Sequence, residues 1–128
     1  MEELPVILVV EDEDMIQLLV EEALTEGGFA VDIVASGEEA LQLFGAGEKD
    51  YKALVTDIGI QGEITGWSVA SKARESNPAL PVIYMSGAHA EDWASKGVPN
   101  SIMLTKPFAP AQLVTAIAQL LNSVPPTT

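Results

Sequence analysis

Apolar and polar positions along this chain follow two alternating rhythms. Short runs of strand length, Pro5 to Val10, Phe29 to Ala35, Lys52 to Thr56, Val82 to Met85 and Ser101 to Thr105, are β-branched or apolar. Most lack polar alternation, which predicts parallel strands covered on both faces. Between them lie helical patterns. Ile16, Leu19, Val20, Ala23 and Leu24 make one apolar stripe, stopped by Gly27-Gly28. Ser36 with Glu39 forms a capping-box pattern that opens a second helix, carrying Ala40, Leu41 and Phe44 and ended by Gly45. A third helix runs from Thr65 or Gly66 to Ser76, closed by Asn77-Pro78, and residues 90 to 96 predict a short fourth. The last starts at Pro110, presents Val114, Ile117, Ala118 and Leu121 on one face, and stops at Pro125-Pro126.

Five βα units predict an α/β fold: a doubly wound, five-stranded parallel sheet with five helices on its two faces. For five strands the expected order is 2-1-3-4-5, which makes strands 1 and 3 neighbours at the switch point. Ligands in such sheets bind beyond the carboxyl ends of the strands. Chemistry is therefore expected there.

Composition narrows the picture. The chain has 128 residues, 48% of them apolar, which suits one compact domain over residues 1–128 with a frayed tail at 124–128. No stretch approaches the roughly 20 apolar residues of a membrane span, and MEELP lacks the basic start of a signal peptide, so a cytoplasmic protein is expected. Absence of cysteine excludes disulfides and thiolate metal sites. A formal charge of -13 argues against nucleic-acid partners, because a phosphate backbone would be repelled.

At the strand ends stand Glu11 and Asp12, Asp57, Ser86, and Lys106. Singly, each has a bland reading: a solvated first turn, a turn former, another turn, a surface lysine. Together they place three carboxylates, a hydroxyl and an ammonium at one edge of one sheet. Three carboxylates suit a hard divalent cation such as Mg²⁺. Ser86 and Lys106 then offer a donor and a positive charge to a phosphoryl oxygen, and a carboxylate attacking phosphorus gives an aspartyl phosphate.

Here the chain resembles the response-regulator receiver domain, of the stand-alone, chemotaxis-regulator-like type with a flavodoxin-like fold. The segments "ILVVEDED", "ALVTD", "VIYMSG" and "LTKPF" match the four motifs of that family in order. The resemblance implies that Asp57 is the phospho-acceptor, Asp12 a direct Mg²⁺ ligand, Glu11 a ligand through water, and the Gly59 carbonyl a further metal contact. It implies that Ser86 and Lys106 bind the phosphoryl group, that Mn²⁺ can replace Mg²⁺, and that the Lys106-Pro107 bond is cis. The implied donor is a sensor histidine kinase or a histidine phosphotransfer protein, with an output protein beyond. A monomer or a weak phosphorylation-dependent homodimer is expected, not an enzyme beyond catalysis of its own phosphorylation and dephosphorylation.

The departures are local. Ile60 and Gln61 stand where the family usually has Met-Pro, the loop before Gly66 is one residue longer than in common receivers, and Met103 replaces the usual aromatic switch residue. A dehalogenase-type phosphatase would need a second Asp two residues after the nucleophile, where Gly59 stands, and a flavodoxin-like cofactor binder would need a phosphate loop where four acids stand. A degenerate receiver that only docks partners is the remaining alternative.

His89 reads as a solvated loop residue and Trp67 and Trp93 as packing or surface anchors, with Glu21, Glu22 and Glu26 on a solvated helix face.

Overall fold

The computed structural model describes residues 4–47, 49–60 and 62–122. Its strands are β1 (Val6–Val10), β2 (Ala30–Val34), β3 (Tyr51–Asp57), β4 (Val82–Ser86) and β5 (Ser101–Thr105), and its helices α1 (Asp14–Glu26), α2 (Gly37–Ala46), α3 (Gly66–Ser76), α4 (Trp93–Lys96) and α5 (Pro110–Asn122). All pair in parallel, in the order β2-β1-β3-β4-β5, as expected.

The sheet sorts its side chains by parity, because successive residues of a strand point to opposite faces. Ile7, Val9, Ala53, Val55, Ile83 and Met85 pack with α1 and α5, whereas Leu8, Val10, Leu54, Val82 and Tyr84 pack on the side of α2 and α3. Both faces of the central strands are thus dry. That is why β1, β3 and β4 read as unbroken apolar runs. The edge strand β2 is only half-buried throughout. At the foot of β3 the register slips by one residue between Val6 and Ile7, so exposed Lys52 is bulged out and Tyr51 turns to the α2 side.

Two expectations need correction. Gly45 does not end α2: the helix runs to Ala46, and Gly47 supplies the left-handed residue at φ 63° that terminates it. The buried face of α5 is Leu113, Ala116 and Ile117, with Val114, Leu120 and Leu121 at its margin and Ala118 only half-buried. Docking against α1 sets that rotation, since Val114 sits over Gly27. The short fourth helix expected over residues 90 to 96 is present, as a 3-10 turn, Ala90–Asp92, followed by the single turn of α4. The expected frayed tail and Gln61 lie outside the described residues, and no described helix is long and apolar enough to cross a membrane.

Gly45 offers a direct check on the revised α2 boundary. It is exposed, inside the helix, and a β-carbon there would meet nothing within 4 Å. Gly45→Ala should therefore stabilise the protein by about 0.5–1 kcal/mol in urea unfolding. A loss of stability would place the helix end back at Gly45.

Candidate acidic site at the sheet edge

The switch point between β1 and β3 carries the acids. Val10 and Thr56 are register partners, so Glu11 and Asp57 follow them side by side, and Asp12 is the next residue out. One carboxylate oxygen from each of the three lies within 4.8 Å of the others. Ser86 ends β4 opposite Thr105, and Lys106 follows, its N–H donating to the Ser86 carbonyl at 2.9 Å. The five side chains expected at this edge are all there.

Burial of so many acids requires partners. Glu11 is fully buried; its Oε1 accepts from Lys106 Nζ at 3.0 Å and its Oε2 from the Glu13 N–H at 3.0 Å. Burial pushes the Glu11 pKa up, and the two hydrogen bonds only partly offset this. Asp57 has both oxygens held, Oδ2 by Lys106 Nζ at 3.2 Å and Oδ1 by the Ile58 N–H at 2.8 Å. Burial also works against the Lys106 charge, but the hydrogen bond to Glu11 and the charges of Asp57 and Glu11 outweigh it and raise its pKa. The lysine stays a cation. Asp12, by contrast, is only half-buried. The Lys106-Pro107 bond is cis, as expected.

The hydroxyl oxygen of Ser86 accepts from the N–H groups of Ala88 at 3.2 Å and His89 at 2.7 Å, which ties the turn after β4 to the Ser86 side chain. His89 contributes its backbone there, and its side chain is exposed. Between Asp57 and α3 the altered loop is anchored from both sides. Ile58 and Ile60 are buried among the α2 and α3 side chains, which gives Ile60 a packing role of its own. On the outer side Ile64 packs on Gly37, and the Glu63 N–H donates to Glu38 Oε2 at 3.2 Å. Thr65 caps α3 by accepting from the Ser68 N–H at 3.3 Å.

Met103 is half-buried on β5, next to Tyr84 in register. The aromatic on this side of the sheet comes from β4 instead: the Tyr84 ring is fully buried, 4.7 Å from that of Trp67, and its hydroxyl accepts from the Val98 N–H at 3.0 Å. The Trp93 indole N–H donates to Ser101 Oγ at 2.8 Å, so Trp67 is a packing residue and Trp93, which is exposed, a surface anchor. Sequence reading missed three contributors, Gln17, Glu38 and Tyr84. Only Tyr84, an aromatic two residues before Ser86 in a strand, carries a sequence signal.

A carboxylate whose oxygens are both oriented, beside an ammonium and two further acids, is equipped for hard-cation binding and for nucleophilic attack on phosphorus. The chain is similar to known proteins. The model of the response regulator receiver domain matches residues 7–118. A crystal structure of a response regulator receiver protein from Sinorhizobium medicae is 44% identical, with a TM-score of 0.92 over 96% of this chain and 98% of that one. Among curated proteins, the transcriptional regulatory protein CusR of Escherichia coli is 30% identical over 118 residues and the sensor kinase CckA of Brucella abortus 31% identical over 119 residues. Each match takes in 91% of this chain but only 51% and 12%, respectively, of those longer proteins.

Proposed function

This chain belongs to the response regulator receiver domain family of two-component signalling, and from that premise we propose that it accepts a phosphoryl group on Asp57 from a phosphohistidine donor. The observation that carries the reading is the single ammonium of Lys106 bridging Glu11 and Asp57 inside a three-carboxylate cluster. The donor set, all oxygen and partly open to water at Asp12, fits Mg²⁺ or Mn²⁺. Asp12 suits a direct ligand because it is the most accessible of the three acids. Glu11, buried with both oxygens engaged, suits a contact through water. Asp57 and the Gly59 carbonyl complete the protein ligands. When bound, the cation supplies charge neutralisation for the acids and the phosphoryl oxygens.

In the proposed step an oxygen of Asp57 forms a bond to phosphorus while the phosphorus–nitrogen bond of the donor breaks, and the departing imidazole keeps the bonding electrons. Lys106 and the Ser86 hydroxyl each bind a phosphoryl oxygen, and Lys106 balances the added charge. Chemistry is limited to this phosphorylation and to later hydrolysis of the acyl phosphate. We place the protein in the cytoplasm as one receiver domain, monomeric or weakly dimeric when phosphorylated, with a sensor histidine kinase or phosphotransfer protein upstream and an output protein downstream.

Incubation with a small phosphodonor should add one phosphoryl group per chain, seen by intact mass, only with Mg²⁺ present and reversed by hydroxylamine. Folded protein that takes up no phosphate from small donors or from a phosphohistidine protein would leave docking alone as its role.

A further inference from the structure

We infer that Gln17 is a positioning residue that holds Asp12 in the orientation the metal requires. This rests on the reading of the acid cluster as a Mg²⁺ site. The last sheet bond of this segment is the Glu11 N–H to the Val34 carbonyl at 3.0 Å, and beyond it the chain turns through three acids before α1 begins. No side chain caps that helix start at Glu13. The Glu11 carbonyl, at the turn, is met by the side-chain amide of Gln17, whose Nε2 donates to it at 2.6 Å. Because a carbonyl only accepts, the nitrogen end of the amide must face it. The backbone N–H of the same residue donates to the Glu13 carbonyl at 2.9 Å. One residue thus ties the acidic turn to the first turn of α1 at two points.

The consequence falls on Asp12. The Glu11 carbonyl and the Asp12 nitrogen share one planar peptide unit, so holding the carbonyl sets the direction of the Asp12 N–Cα bond and removes one source of movement at Asp12. The Glu11 side chain has its own restraints, Lys106 and the Glu13 N–H, and does not depend on Gln17. Asp12 lies in a chain of charge -13 and beside two other acids, whose repulsion favours splaying the turn. Mg²⁺ demands near-ideal octahedral geometry, so a ligand whose backbone is held less firmly binds it less well.

The test compares wild type with Gln17→Met, which keeps the length but removes the donor, and Gln17→Asn, which keeps the amide but is too short to reach. Mg²⁺ alone is titrated by calorimetry. Both variants should bind it about 10-fold more weakly, the usual size of a lost outer-shell contact. Their metal-free melting temperature should fall by no more than about 5 °C, the worth of one hydrogen bond. Phosphorylation should need about 10-fold more Mg²⁺ for half-maximal rate and recover to within about twofold of wild type at saturation. Wild type that binds no Mg²⁺ overturns the metal site itself. Wild-type binding with unchanged affinity in the folded variants overturns the role of Gln17 alone, as does a rate that stays low at saturating Mg²⁺ with normal affinity. If Gln17→Met fails to fold, Gln17→Asn decides on the same criteria.

Discussion

Lys106→Met is expected to slow phosphorylation by a small donor at saturating Mg²⁺ by about 100- to 1,000-fold, the effect of deleting one preorganised donor to a developing charge. Lys106 Nζ lies 3.0 Å from Glu11 and 3.2 Å from Asp57, and its side chain is only 16% exposed. Methionine keeps most of the volume and none of the charge. Its loss leaves a buried carboxylate at Glu11 with only the Glu13 N–H, and breaking a buried pair on one side is costly. A loss of about 3 kcal/mol in metal-free buffer is expected, near 10 °C in melting temperature for a domain of this size. The wild-type lysine, with its raised pKa, contributes its stability in full below its ordinary value of 10.5 and loses it only as pH rises through the higher folded value. Neutral pH is therefore a fair place to measure. A rate within threefold of wild type would remove Lys106 from the phosphoryl site.

Gly66→Ala should be the most damaging glycine substitution for the loop behind the acceptor. A β-carbon there would collide with the main-chain carbonyl of Asp57 and come 3.0 Å from the Ile58 Cα, and its own N–H donates to the Ile58 carbonyl at 3.1 Å. These neighbours are backbone, so no rotamer change relieves the clash. The expected cost is about 3 kcal/mol, the upper end for overpacking, with weaker Mg²⁺ binding because the displaced segment carries Gly59. Gly59→Ala is the control. Space around that position is open, and the proposed role uses only its carbonyl, so stability should stay within about 0.5 kcal/mol. Urea midpoints of the two variants check the contrast, and equal losses would mean that the close approach at Gly66 does not fix the loop.

The sheet was legible because its central strands are dry on both sides: residues such as Leu8 and Val9 face opposite cores, so both must be apolar. The site was legible for a related reason. Glu11, Asp57, Ser86 and Lys106 end or directly follow apolar runs, where a parallel sheet gathers its carboxyl ends. What escaped depends on pairings that leave no periodic trace. Gly45 and Gly47 look alike in sequence, and only the backbone at Gly47 turns left-handed. The face of α5 is set by its seat on Gly27, and the Gln17 and Glu38 hydrogen bonds each end on a backbone group that any residue could supply. Tyr84 was read as one more strand residue, although its neighbours Trp67 and Val98 make it the buried aromatic beside Met103.

The central claim is that Asp57 becomes an acyl phosphate. Borohydride reduces such a mixed anhydride to the alcohol, so the phosphorylated protein, treated with borohydride and digested, should yield a peptide in which Asp57 alone has become homoserine, and none without phosphodonor. Homoserine at Asp12, the one-carbon-longer alcohol at Glu11, or labelled protein with Asp57 unchanged, would contradict the account.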